Sequence, residues 1–179
     1  MKILDKTPDL LERIKDFEPF QGVPEAALQW LIDHSEYQLF EQGERIFWPG
    51  KEVNTMQVIV DGEYVVVFER GGEKRELGTW ATGYITGVLP FSRMKESGAT
   101  ATTLRPTYIL DLHKQHFTEM VQVSYELVQN LVAVMSTRIR DFSQMRSQQE
   151  KLMALGKLSA GLAHELNNPA SAMVRDAED

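Results

Sequence analysis

The 179-residue sequence contains no cysteine. That removes disulfides, thiol nucleophiles and cysteine-based metal sites from consideration. No apolar run approaches the roughly 18 residues that a membrane-spanning helix needs. The opening "MKILDKTPDLLERI" is broken by charge too early for a secretory signal. A cytoplasmic location and no membrane partner are expected. Positive charge is also short: 19 Lys and Arg stand against 26 Asp and Glu, a net charge of −7. A surface of that sign repels nucleic acid, and none is expected as a partner. Composition is otherwise that of an ordinary globular chain, long enough for one domain with a core and a further element.

What is present falls into zones. Residues 1–35 read as helices: "PDLLERI" has helical spacing, and Pro24 stands where a first helical turn tolerates it. Residues 36–113 alternate short β-branched runs with glycine punctuation. "YQLFEQGERIFWPG" turns at Gly43 and again at Pro49–Gly50. "MQVIVDGEYVVVFERGGEKRELGTW" predicts a two-residue hairpin at Asp61–Gly62 and a second turn at Gly71–Gly72. "ATATTLRPTYILDL" adds two strands parted at Pro106. Many short strands at this spacing predict an antiparallel sandwich or barrel. The fold class is thus α+β, a β-roll flanked by N-terminal helices and a long C-terminal helix.

From Lys114 the strand signals stop, and no proline occurs before Pro169. Met135, Ile139, Phe142, Met145, Gln149, Leu152, Leu155, Leu158, Leu162 and Leu166 step by threes and fours, and only Gln149 is polar. This is the seam of a long amphipathic helix. A helix continuous from Lys114 to Asn168 would extend roughly 80 Å at about 1.5 Å per residue. Such a stripe outruns any small core, so pairing with a second copy is expected, giving a homodimer. Residues 114–150 are read as a signalling helix and 151–179 as a separate functional segment.

Helix, β-roll with glycine corners, then long helix resembles the cyclic nucleotide-binding domain family over roughly residues 10–145. The markers are "FEQGERIFWPGKEVNTMQVIVDGEYVVV" and "GTWATGYITG", with Gly43, Gly50, Gly62, Gly83 and Gly87 where that family turns its strands. The resemblance implies that Gly87 opens the phosphate cassette. There a glutamate holds the ribose, and a later arginine, with a short helix N-terminus, binds the cyclic phosphate. Here Val88 stands at the glutamate position, with Leu89, Pro90 and Phe91 after it, which suggest a more apolar pocket mouth. Ser97 or Gly98 stands at the arginine position, just before Ala99 and Thr100, and Arg93 and Lys95 lie nearby but several residues early. Both charged contacts are missing. Cyclic AMP and cyclic GMP are therefore not expected as ligands; the alternatives are an unidentified, less anionic small molecule, or no ligand and a protein contact. No metal site is expected.

The stretch "LGKLSAGLAHELNNPAS", residues 155–171, resembles the phosphoacceptor segment of sensor histidine kinases. The resemblance implies that His164 takes the γ-phosphoryl group of ATP and that a response regulator receives it. It also implies that Asn168 orients water or the phosphoryl group. On a helix His164 and Asn168, four residues apart, share a face. A neutral imidazole is a nucleophile near its unperturbed pKa of about 6.5. The adjacent Glu165 carboxylate can stabilise or remove the proton on its other nitrogen. Pro169 would bend the helix just below these residues. That family also needs a second bundle helix and an ATP-binding domain using Mg2+. The chain is accordingly expected to be the N-terminal part of a longer kinase, inactive by itself and holding no cofactor. Two alternatives remain: a transcription regulator of the catabolite-activator type, which needs a basic three-helix domain after residue 145, or a non-catalytic interaction module.

Overall fold

The computed structural model describes the backbone of residues 1–70 and 73–176, with side chains up to residue 159 apart from 70, 73, 146 and 149. The elements run β1 (Lys2–Leu4), α1 (Leu10–Ile14), a 3-10 turn (Glu18–Phe20), α2 (Glu25–His34) and β2 (Ser35–Phe40). Next come β3 (Arg45–Phe47), β4 (Thr55–Asp61), β5 (Glu63–Arg70), β6 (Glu73–Ala81), β7 (Ile85–Gly87), β8 (Ala99–Thr103) and β9 (Thr107–His113). A 3-10 turn (Lys114–His116), α3 (Phe117–Val123) and α4 (Tyr125–Asp176) complete the chain.

Two antiparallel sheets form a jelly roll, one in the order β1-β2-β9-β4-β7, the other β3-β8-β5-β6. The five-stranded sheet is covered on both faces. Tyr37, Met56, Val58, Val60, Leu110 and Leu112 point outward to a core shared with α1, α2, Met120 of α3 and the start of α4. Phe40, Ile59 and Ile109 point inward to Ile46, Tyr64, Val66, Ala99 and Ala101 of the other sheet. Burial on both faces explains why "MQVIV" in β4 is almost continuously apolar rather than alternating.

Three expectations need correction. The N-terminal zone is not wholly helical, because Lys2–Leu4 pairs with Tyr37–Leu39 as an edge strand. The hairpin expected at Asp61–Gly62 is a corner instead: β4 pairs with β7 and β9, while β5 pairs with β6 and β8 in the opposite sheet. Gly62 makes the corner with φ 118°, and its backbone presses on Thr107 so closely that a β-carbon would sit 2.5 Å from Thr107 Cα. The actual hairpin joins β5 to β6, with Arg70 opposite Glu73. The expected turn at Gly71–Gly72 lies outside the described residues.

The long helix also departs from expectation. It does not run unbroken from Lys114, because Ser124 is extended (φ −153°, ψ 121°) and separates α3 from α4. Its hydroxyl caps the new helix, accepting from the Leu127 N–H at 3.2 Å and donating to Glu126 Oε2 at 2.9 Å. Leu127 and Leu131 are buried in the outer core, and Asn130 Nδ2 donates to the carbonyls of Pro19 and Gln21. The chain divides into two compact units, Met1–Met135 and Ser136–Asp179. In the second, Ile139, Phe142, Leu152, Leu155 and Leu158 of the predicted seam are all exposed. The helical backbone continues through Pro169 to Asp176. Among the described residues no helix is long and apolar enough to cross a membrane.

Candidate functional site

Gly87 closes β7 in the left-handed region, φ 75°. A β-carbon there would drive into the Thr55 carbonyl, which accepts from the Val88 N–H at 2.9 Å. Only glycine fits this approach. Beyond Gly87 the loop departs from the expected anion site. Residues 88–98 contain no helix, so no helix N-terminus faces a phosphate. Val88 and Pro90 are buried, and Leu89 packs in the outer core with α1 and α2. Of the expected apolar mouth, Leu89 therefore faces away from the roll interior, and Phe91 is exposed. Leu89–Ser92 forms a tight turn closed by Ser92 N–H to Leu89 O at 2.9 Å. Pro90 suits its second position. Phe91 sits third with φ 67°, where glycine is normally preferred, which stores strain of about 1–3 kcal/mol.

The far end of the cassette is zipped to the β3–β4 connection. Gly50 N–H donates to Ser97 O at 3.0 Å, Ser97 N–H to Lys51 O at 3.0 Å, and Val53 N–H to Lys95 O at 2.9 Å. The Ser97 hydroxyl donates to the Ala99 carbonyl at 2.8 Å. Ala99 is buried in the inter-sheet core, Thr100 is half-buried beside it, and Arg93 is exposed. Gly87, Val88, Leu89, Arg93, Ser97, Ala99 and Thr100 are thus held as two ends of one loop, with no guanidinium directed into the roll at the Ser97 position.

The polar groups of the interior come instead from the strands. Glu36, Asp111, Gln57 and Thr86 stand opposite one another across β2, β9, β4 and β7. Two residues on, Ile109 and Ile59 mark this as the inward face. Glu36 is exposed at the rim, while Gln57 and Thr86 are buried. Gln38 joins them: its Nε2 donates to Glu36 Oε2 at 2.9 Å and to Asp111 Oδ2 at 3.4 Å. Asp111 Oδ1 is out of solvent and without a hydrogen-bond partner. Burial pushes the Asp111 carboxyl above its ordinary value; hydrogen bonding from Thr55 and Gln57 and the charge of Lys51 pull against that, and Glu36 adds to it. Lys51 is anchored nearby, its Nζ donating to Ile46 O at 2.7 Å and lying 4.8 Å from the Trp48 ring centroid. A row with one orphaned carboxylate oxygen favours a partner that donates hydrogen bonds and disfavours an anion. Sequence reasoning missed it because polar residues alternating in a strand ordinarily signal a solvent face.

His164, Glu165 and Asn168 lie on α4, but their side chains fall outside the described residues.

A sequence model of the cyclic nucleotide-binding domain matches residues 37–124. The cyclic AMP receptor protein of Thermus thermophilus is 23% identical over 124 residues, covering 68% of this chain and 57% of that protein. The crystal structure of the Thermus thermophilus catabolite activator protein superposes with a TM-score of 0.66 at 20% identity, covering 74% of this chain and 62% of that one. The sensor domain of the transcriptional regulator DNR from Pseudomonas aeruginosa gives 0.59 at 20% identity, covering 76% of this chain and 90% of that one. The chain spans about three fifths of the length of its Thermus relatives. Residues 37–124 are thus similar to the cyclic nucleotide-binding domain, and the jelly roll shares its fold with the catabolite activator protein.

Proposed function

We propose that the chain is the sensory and phosphoacceptor part of a sensor histidine kinase, in which the jelly roll governs phosphorylation of His164. The observation that carries this reading is α4 itself. It is one helix of 52 residues, Tyr125–Asp176, anchored in the roll's outer core at Leu127 and Leu131 and bearing His-Glu-Leu-Asn-Asn-Pro at its far end. The positions after residue 145, where a transcription regulator needs a three-helix domain, are occupied by this single helix. In the proposed parent, ATP and Mg2+ are held by a separate domain, two copies pair along the exposed seam, and a response regulator accepts the phosphoryl group. The roll's ligand, in this reading, is a small neutral or cationic molecule recognised by Asp111, Gln57 and Gln38.

Labelling with γ-phosphate-tagged ATP tests the assignment, using the parent kinase or this chain supplied with the parent's ATP-binding domain in trans. Acid-labile, base-stable label should appear on the wild type and vanish from His164→Gln, with unchanged far-UV circular dichroism. Undiminished labelling of that variant overturns the assignment.

A second reading is favoured by the names of structural relatives, two of which are called transcriptional regulators. In it, the roll regulates DNA binding by a domain beyond α4. Salt-dependent binding of duplex DNA by the parent, with no phosphoryl label at His164, would support it.

A further inference from the structure

The junction between α2 and α3 gathers two imidazoles and a carboxylate that neither the roll nor the phosphoacceptor reading uses. His34 ends α2, His116 ends the 3-10 turn after β9, and Glu119 lies in the first turn of α3. Their potential ligand atoms all lie within 4.8 Å of one another. We propose that His34, His116 and Glu119 form a site for a borderline divalent transition metal, Zn2+ or Ni2+, that clamps α2 to α3.

Hydrogen bonding fixes the tautomer of His34. Its Nδ1 lies 2.8 Å from the Trp30 carbonyl, which can only accept, so Nδ1 carries the proton. Nε2 is left with its lone pair, and it points toward Glu119, with Oε1 3.7 Å away. A ring N–H bonded to a backbone carbonyl while the other nitrogen faces the metal is the usual outer-shell arrangement of a ligating histidine. On His116 the Gln115 side-chain amide, which can only donate, lies 3.1 Å from Nε2 and marks that nitrogen as the unprotonated one; ligation there exchanges this exposed hydrogen bond for the metal as Gln115 turns away. His34 and His116 rings stand edge to face with centroids 5.1 Å apart. Glu119 is oriented by Trp30, whose Nε1–H donates to its Oε1 at 2.9 Å, and the Trp30 ring stacks on His34 at 4.4 Å.

Two imidazoles and one carboxylate suit Zn2+ or Ni2+, whereas Mg2+ and Ca2+ require oxygen sets. Metal–ligand bonds of about 2.1 Å put tetrahedral ligand atoms roughly 3.4 Å apart. The three side chains must therefore draw together by about 1 Å, which half-exposed and exposed groups can do. A fourth position would remain for water or an exogenous ligand. The sequence analysis expected no metal site, because the ligands lie at opposite ends of the roll in the chain and no local spacing announces them.

The test is titration of Zn2+ and Ni2+ into the untagged, chelator-stripped full chain, read by tryptophan fluorescence and by thermal unfolding. One equivalent should bind at low micromolar concentration, change the fluorescence and raise the midpoint by several degrees; Mg2+ and Ca2+ should do neither. His34→Gln and His116→Gln should each weaken binding at least tenfold. Glu119→Gln should do the same while keeping an acceptor for Trp30, so its unchanged midpoint in chelator separates lost ligation from misfolding. His113→Gln and His164→Gln should bind as the wild type does. Absence of binding at about 100 μM Zn2+ would overturn the proposal, as would binding that survives Glu119→Gln and His116→Gln.

Discussion

Gly62 and Thr107 are in backbone contact where the chain passes from one sheet to the other. The Thr107 hydroxyl lies 3.2 Å from both the Glu63 N–H, from which it accepts, and the Glu63 carbonyl. The Gly62 N–H donates to Thr82 Oγ1 at 3.2 Å. Arg105 adds a two-pronged contact to Asp61 Oδ1, each arm at 3.2 Å. Gly62→Ala would place a methyl group against Thr107 at a φ that L-residues rarely adopt. The neighbour is backbone and cannot rotate away. A loss of about 2–4 kcal/mol is expected from strain and displacement together, seen as a lower urea midpoint. Wild-type stability in this variant would mean that the corner is not where the two sheets are fastened.

The Asp111 carboxyl ties stability to pH. Its folded pKa is raised by burial above the ordinary 3.8, so the folded chain holds the proton more tightly than the unfolded chain. Stability is then lost as pH rises from the unfolded pKa through the folded one, and the loss is complete above both. Asp111→Asn removes the charge and keeps an oxygen to accept from Gln38. It should raise the unfolding midpoint near pH 7.5 by about 2–4 °C, as expected for about 1 kcal/mol in a chain of this size. The gain should vanish near pH 4. A pH-independent difference, or a lower midpoint at pH 7.5, would show that the neighbours already satisfy the carboxylate.

How far these features could be read from sequence depends on the kind of signal. Gly43, Gly50, Gly62, Gly83 and Gly87 all have positive φ, so the glycine corners of the roll were legible one by one. The destination of each turn was not. Asp61–Gly62 between alternating strands fits a hairpin and a sheet-to-sheet corner equally, and only the long-range pairing of β4 with β9 decides. Lys2–Leu4 is too short for any periodicity. Ser124 breaks the long helix without proline or glycine, through a hydroxyl that offers the backbone a local alternative. At the cassette, the missing charges at Val88 and Ser97 were plain in the sequence. The replacement of the short helix by a turn and a zipped loop was not, because it depends on Gly50, Lys51 and Val53 lying alongside.

The exposed side of α4 after residue 135 should drive self-association. Ile139, Phe142, Leu152, Leu155 and Leu158 recur at helical spacing and stay 42–69% exposed. An isolated helix bearing such a stripe lowers its free energy by covering it with another. Sedimentation equilibrium should report a dimer at micromolar concentration, and ending the chain after Arg140 should shift it toward monomer. A monomer over the whole concentration range would place the seam against some other partner.

Cyclic nucleotides should fail to bind, for reasons that are now geometric as well as chemical. The ribose contact would have to come from Val88, which has no polar side-chain atom and is 4% exposed. The phosphate would need a cation near Ser97, whose N–H is already committed to Lys51 O and whose hydroxyl is committed to Ala99 O. The cations of the loop, Arg93 and Lys95, are both exposed, and Arg93 follows a turn held by Pro90 and a strained Phe91. Each charged hydrogen bond contributes about 1.5–3 kcal/mol, so losing two lowers affinity on the order of 10²–10⁴-fold. Calorimetry with cyclic AMP and cyclic GMP at tens of micromolar should give no binding heat, and Arg93→Ala should leave the trace unchanged. Sub-micromolar binding of either nucleotide, abolished by Arg93→Ala, would mean that the loop unzips from Gly50 and Lys51 and carries Arg93 inward.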